Sequence, residues 1–155
     1  MTTTELITLP LAVLGAVLGV INTWRGLERD RVKLRVVPKI AYPATPGLDP
    51  RPRLCIEVTN LSTFPVTISE VGFLQRGTDH RMALLQPILP DGGPFPRRLE
   101  ARHGFTAYFA PGAEARDGFE NVTKAYARTE CGEWRHGKSK ALSALMRGKV
   151  AEPAA

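Results

Sequence analysis

The sequence is poor in the residues from which enzyme active sites and metal centres are usually built. Its two cysteines are too few for a disulfide-stapled scaffold or a four-cysteine zinc site. Its three histidines, His80, His103 and His136, are each isolated, without the spacing of a metal-binding pair. No G-x-S-x-G, phosphate-loop or dinucleotide-binding motif occurs. We therefore expect a protein that is not an enzyme, with no catalytic residues, no cofactor and no bound metal.

Aromatic residues are scarce as well, at 7 % of the chain, and the net charge of +6 is concentrated in two short segments. Residues 25–39 contain six basic and two acidic side chains, and residues 135–149 contain five basic side chains and no acid. Proteins that bind nucleic acids usually combine a basic face with aromatic residues or a known motif. Because the first basic segment follows the most hydrophobic stretch of the chain, it indicates a membrane, and nucleic acid is not an expected partner.

That hydrophobic stretch, residues 6–24, contains no charged residue and ten leucines, isoleucines and valines. As a helix it would be about 28 Å long, close to the roughly 30 Å hydrocarbon core of a bilayer. The ten aliphatic side chains would contribute roughly −3 to −6 kcal/mol to membrane insertion. Trp24 occupies the position of an interfacial aromatic residue. The sequence therefore predicts a single transmembrane helix within residues 1–24.

This stretch has two other interpretations. A cleaved signal peptide would need a basic N-terminal region and a small-x-small cleavage site, and the sequence has neither. A hydrophobic helix buried in a virion or another protein assembly stays open, because length alone does not separate it from a membrane span. The bases that follow the stretch place the globular body in the cytoplasm, at the cell inner membrane, by the positive-inside rule. The residues expected to anchor the chain and set its topology are Trp24, Arg25, Arg29, Arg31 and Lys33.

Gly15 and Gly19 have the G-x-x-x-G spacing that lets two membrane helices approach closely. Ala12 and Ala16 extend this stripe of small residues. The pattern predicts self-association of the chain through the helix. The alternative is that glycine and alanine are simply common in membrane helices.

The body of the chain shows the alternation that is typical of β-strands. Residues 25–40 are expected to form a basic linker and a first strand, in which Pro38 ends the strand or places it at a sheet edge. A proline-rich loop follows over residues 41–52, and Leu54, Ile56 and Val58 then alternate with more polar residues. About seven short strands separated by turns predict an antiparallel β-sandwich over residues 41–137. Residues 138–155 are expected to form a short helix and a tail, the helix either packing on the sandwich or contacting anionic lipid.

Residues 54–74, LCIEVTNLSTFPVTISEVGFL, resemble the central hairpin of immunoglobulin-like domains in bacterial proteins, with a V-x-N strand end followed by a P-V-x-I strand start. The chain as a whole resembles small uncharacterised bacterial or prophage proteins that combine an N-terminal span with one such domain. The resemblance implies a binding or scaffold role and supplies no catalytic residues. Antibody-type domains pair two cysteines across their sheets. Here Cys55 should face away from the core, and Tyr126 lies five residues before Cys131 rather than two, so we expect no disulfide.

These observations predict a single-pass membrane protein without enzymatic activity, whose cytoplasmic immunoglobulin-like domain binds or positions another protein. The alternative function is a virion or phage assembly component, with its apolar helix buried in a protein oligomer. The sequence does not identify the partner or the surface that binds it.

Overall fold

The computed structural model describes residues 3–42, 53–77, 80–109 and 121–147, with only the backbone of residues 3–10. The proline-rich loop beyond residue 42 and the expected C-terminal tail lie outside these ranges. The chain divides into two compact units, Met1–Arg31 and Val32–Ala155. The first unit contains helix α1, and the second, here called the β domain, contains eight strands and helix α2 within the described ranges. The elements are α1 Thr3–Arg29, β1 Leu34–Ala41, β2 Arg53–Asn60, β3 Val66–Gln75, β4 Arg81–Ala83, β5 Arg97–Leu99, β6 Gly104–Tyr108, β7 Val122–Thr129, β8 Trp134–Gly137 and α2 Lys140–Leu145.

Helix α1 is longer than the sequence predicted. It continues to Arg29 rather than ending at residue 24, so the first five residues of the expected linker are helical. Leucine, glutamate and arginine in this stretch are good helix formers, and no proline interrupts it. Only residues 30–33 remain between the end of α1 and the start of β1.

The β domain contains two antiparallel sheets, which confirms the mainly β prediction. One sheet has the order β1-β2-β6, and the other has the order β4-β3-β7-β8 with β5 also paired to β3. Alternate residues of both sheets contribute to one hydrophobic core. The first sheet supplies Val36, Ile56, Val58, Phe105 and Ala107, and the second supplies Ile68, Val71, Phe73, Ala125 and Ala127.

The edge strands β1 and β8 of the two sheets touch each other. Gly137 in β8 lies against the backbone of Val36, and a Cβ atom at Gly137 would be 1.8 Å from the Val36 carbonyl oxygen. The Arg135 guanidinium donates a hydrogen bond of 2.9 Å to the Val32 carbonyl. Because no side chain fits at this contact, glycine is required where the two strands meet.

Two features of the first sheet agree with the sequence pattern. Pro38 does not end the first strand. It lies within β1, which is at the edge of its sheet, as one of the two sequence-based alternatives expected. Cys55 lies outside the core cluster, as its parity predicted, yet it is buried, with 2 % of its surface exposed. Its thiol lies 3.5 Å from the Lys39 carbonyl oxygen, and burial raises its pKa. Cys55 and the exposed Cys131 are both free thiols.

The predicted C-terminal helix is present as α2. Ser139 caps it by accepting a hydrogen bond of 3.1 Å from the Leu142 backbone N–H. Leu142 is buried in the core cluster of the β domain, and Leu145 and Met146 pack against that cluster. Helix α2 therefore packs on the β domain, as one of the two sequence-based alternatives expected.

Candidate functional site

The large apolar side chains of α1 are exposed on every side of the helix. Those described are between 43 % and 69 % exposed: Leu11, Val13, Leu14, Val17, Leu18, Val20, Ile21, Trp24 and Leu27. The segment Leu11–Arg29 is long and apolar enough to cross a membrane, judged by length and composition, and none of it is buried. Burying one such side chain stabilises a protein by about 1.5–3 kcal/mol. Helix α1 is thus a surface that favours an apolar environment, whether lipid or protein.

Gly15 and Gly19 lie one turn apart on the same face of α1, as their spacing predicted. A Cβ atom added at either position would meet nothing within 4 Å. Thr23 lies on the same face and donates its hydroxyl hydrogen to the Gly19 carbonyl oxygen at 2.9 Å, which keeps its side chain close to the helix. The side chains on this face are small enough for a second helix to approach it closely.

The structure distributes the predicted anchoring residues over two environments. Trp24, Arg25 and Arg29 are exposed in the last turns of α1, and Arg31 follows the helix and forms an exposed ion pair of 3.7 Å with Glu28. Lys33 belongs to the β domain, where its backbone N–H donates a hydrogen bond of 2.8 Å to the Ser62 hydroxyl. The four bases therefore do not form one flexible linker. Three belong to the helical unit, and one is fixed at the start of the β domain.

A second candidate site lies on the face of the β3-β7-β8 sheet that points away from the core. The register pairs Glu70 with Arg128 and Arg128 with Trp134, so these three side chains form a row across three strands. Tyr126 and Arg81 lie on the same face, because their neighbours in sequence point into the core. We call Glu70, Arg81, Tyr126, Arg128 and Trp134 the arginine–tryptophan cluster.

The indole ring of Trp134 is contacted by two guanidinium groups. The Cζ atoms of Arg81 and Arg128 are 5.6 Å and 5.5 Å from its centroid, within the range of cation–π attraction. The Tyr126 ring packs 5.0 Å from the Trp134 ring, measured between centroids. Because Tyr126 is covered in this way, it is fully buried although it faces away from the core.

Glu70 connects Tyr126 and Arg81 within the arginine–tryptophan cluster. Its carboxylate accepts a hydrogen bond from the Tyr126 hydroxyl and forms an ion pair of 3.0 Å with the Arg81 Nε. Burial, and next the hydrogen bond to Glu70, raises the pKa of Tyr126, so the phenol stays protonated and donates. The Arg128 Nε is buried, and within the described residues it has no hydrogen-bond partner. The cluster thus contains two guanidinium groups and one carboxylate, which leaves it net positive.

Sequence reasoning did not assign this cluster to a functional surface. Its signal is the i, i+2 spacing of Tyr126 and Arg128, which places two large polar side chains on the face of β7 that points away from the core. Trp134 contributes from β8, a strand that the sequence pattern did not predict. Tryptophan, tyrosine and arginine are the residues most enriched where a few side chains supply most of the binding energy.

No protein-family model matches this chain, and a comparison with curated proteins finds no significant match. Within the described ranges, no group of three or more histidine, cysteine, aspartate or glutamate side chains has an arrangement suited to a metal ion. His136 stacks on Trp134 at 6.5 Å between ring centroids. The exposed helix α1 and the arginine–tryptophan cluster are two candidate surfaces of this chain.

Proposed function

We propose that this protein is a single-pass membrane-anchored interaction module, and that its β domain is an immunoglobulin-like sandwich that binds another protein in the cytoplasm. The observation that carries the proposal is the division of the chain into an apolar helix, of which no residue from Leu11 to Arg29 is buried, and a β domain with its own core. In water such a helix would leave nine large apolar side chains hydrated. A bilayer would remove these side chains from water.

The charges around α1 support this topology. Arg25, Arg29 and Arg31 follow the apolar stretch, and bases on the cytoplasmic side of a span set its orientation. They also suit the anionic lipids of a cytoplasmic leaflet. We further propose that Gly15 and Gly19 bring two copies of the helix together, which would display the β domains in pairs.

For the protein-binding surface we propose the arginine–tryptophan cluster, and for its occupant an acidic segment of the partner. Two guanidinium groups against one carboxylate give the cluster a positive charge. Trp134 is half-buried, so it offers apolar contact area beside these donors. An acidic peptide would supply both carboxylates for the arginines and a backbone to pack on the indole.

Fractionation of the expressed full-length protein tests the membrane proposal. We expect the protein in the membrane pellet, resistant to alkaline carbonate extraction and released by non-ionic detergent. A variant that lacks residues 1–31 should be recovered as a soluble, folded β protein. Recovery of the full-length protein in a large detergent-free soluble particle would contradict the proposal and favour the alternative, a virion or phage assembly component.

A pull-down with the detergent-solubilised protein tests the binding surface. Trp134→Ala combined with Arg128→Gln should reduce capture of the native partner at least about tenfold, as expected for residues at the centre of an interface. Lys39→Gln is a matched control. Lys39 is an exposed base on the β1-β2-β6 sheet, away from the cluster, and it pairs with Glu57 of the same sheet. If the double variant and the control capture the partner equally well, the cluster is not the binding surface.

A further inference from the structure

A cleft at one end of the β domain lies between two strands and helix α2. Its volume is about 470 Å³, within the usual range of small-molecule sites. It is bordered by the turn that follows β3, by the start of β7 and by α2, with Leu142 at its apolar side. The polar residues that line it are Arg76, Asn121, Thr123, Lys138, Ser143 and Arg147. We call it the basic cleft.

Three cations converge on the basic cleft from three places in the chain. Arg76 follows β3, Lys138 follows β8 and Arg147 follows α2, so only the folded β domain brings them together. In the part of the chain that the structure describes, none of the three forms an ion pair, and no acidic residue lines the cleft. Placing three like charges around one cavity is unfavourable unless an anion offsets the repulsion.

Hydrogen bonds and core packing fix the positions of the residues that line the basic cleft. The Arg76 backbone N–H donates a hydrogen bond of 2.7 Å to the Asn121 carbonyl, which joins the two strand ends. Leu142 anchors α2 in the core, and Ser139 caps that helix. The Arg147 Nε donates to the Ser143 carbonyl at 3.0 Å, which positions the guanidinium at the rim. A ligand would therefore meet a preformed wall that combines cationic, polar and apolar side chains.

We propose that the basic cleft binds a phosphate-bearing ligand. Guanidinium and ammonium groups form charge-assisted hydrogen bonds to phosphate oxygens, and the side-chain amide of Asn121, which also lines the cleft, can donate to the same oxygens. The chemistry is the same for a phosphorylated solute and for the phosphate of a lipid headgroup. This site is separate from α1 and from the arginine–tryptophan cluster, so it does not depend on the function proposed above.

Calorimetric titration of the full-length protein in non-ionic detergent tests the proposal. One arm uses inorganic pyrophosphate at constant ionic strength, and the other uses mixed micelles that contain phosphatidylglycerol, with phosphatidylcholine micelles as reference. We expect saturable binding in at least one arm. The triple variant Arg76→Gln, Lys138→Gln, Arg147→Gln should weaken that binding at least about tenfold, because each lost contact is a hydrogen bond between charged groups.

Lys140→Gln is the matched control, because Lys140 carries the same charge at the start of α2 but does not line the basic cleft. It should bind like the wild type. Binding of pyrophosphate identifies a soluble ligand, whereas binding of phosphatidylglycerol micelles alone identifies a lipid headgroup, and both support the site when the triple variant is impaired. If neither probe binds, or if the triple variant and the wild type bind equally, the proposal is overturned. Should the triple variant not fold, Arg76→Gln and Lys138→Gln, both at exposed positions, provide the same comparison one charge at a time.

Discussion

The buried hydroxyl of Tyr126 gives a quantitative test of the arginine–tryptophan cluster. Tyr126→Phe removes the hydrogen bond to Glu70 and leaves the ring contact with Trp134 in place. A hydrogen bond to a charged group contributes about 1.5–3 kcal/mol to stability. Glu70 keeps its ion pair with Arg81, and its side chain is 18 % exposed, so part of the loss is recovered. We therefore expect Tyr126→Phe to lower the free energy of unfolding by about 1.5 kcal/mol at pH 7.

The same substitution should change how stability depends on pH. The pKa of Tyr126 is raised in the folded protein above the ordinary tyrosine value of 10.0. A group of this kind stabilises the folded state fully below its unfolded pKa, and that contribution is lost as the pH rises above it, because the unfolded chain then releases the proton. The stability advantage of the wild type over Tyr126→Phe should thus be constant below pH 9. Above pH 10 it should decrease by about 1.4 kcal/mol per pH unit.

Urea unfolding of the full-length protein in non-ionic detergent measures both effects. Trp24→Phe in every variant leaves Trp134, a neighbour of Tyr126, as the single fluorescent tryptophan. Tyr108→Phe is the matched control, because its hydroxyl has no hydrogen-bond partner within the described residues and its removal should leave the stability near the wild-type value. If Tyr126→Phe is as stable as the control at pH 7, or if the wild-type advantage is unchanged between pH 9 and pH 11, the Tyr126 hydroxyl does not stabilise the cluster through Glu70.

Three further predictions concern glycine and cysteine residues. Gly137→Ala should lower the free energy of unfolding by about 1–3 kcal/mol, because its Cβ would overlap the Val36 carbonyl; an unchanged urea midpoint would contradict the close contact of β1 and β8. Cys131 should react at once with an aromatic disulfide reagent at pH 8 and Cys55 only on unfolding, so two fast thiols would be inconsistent with the burial of Cys55. Replacing Gly15 and Gly19 together by leucine should weaken self-association in a membrane reporter assay, and an undiminished signal would rule out this helix face.

The strands that the sequence predicted are those with a buried face. In β2, Leu54, Ile56 and Val58 alternate with more polar residues, and the structure buries all three in the core. Strands β5 and β8 were missed because RRL and WRHG carry large polar side chains and no apolar alternation. They are strands because β3 and β7 offer them a free edge. Such pairing depends on partners far away in sequence, which periodicity does not detect.

The arginine–tryptophan cluster and the basic cleft could not be predicted from the sequence for the same reason. Glu70 and Arg128 are cross-strand neighbours although 58 positions separate them, and the pairing that joins them includes a register shift between Ile68 and Glu70. The basic cleft likewise combines residues from three distant segments. By contrast, Gly15 and Gly19 share a face in any regular helix, so a local pattern was sufficient to place them.

The basic residues of the chain differ in how they are engaged, and this argues against one general electrostatic surface. Those of α1 adjoin an apolar stretch, those of the arginine–tryptophan cluster pack on an indole ring, and those of the basic cleft are exposed and unpaired within the described residues. Salt screens exposed charges strongly and hydrophobic burial hardly at all. Raising the ionic strength should therefore abolish phosphate binding by the basic cleft while leaving the membrane association of α1 intact. The basic residues of these three places thus meet separate local requirements.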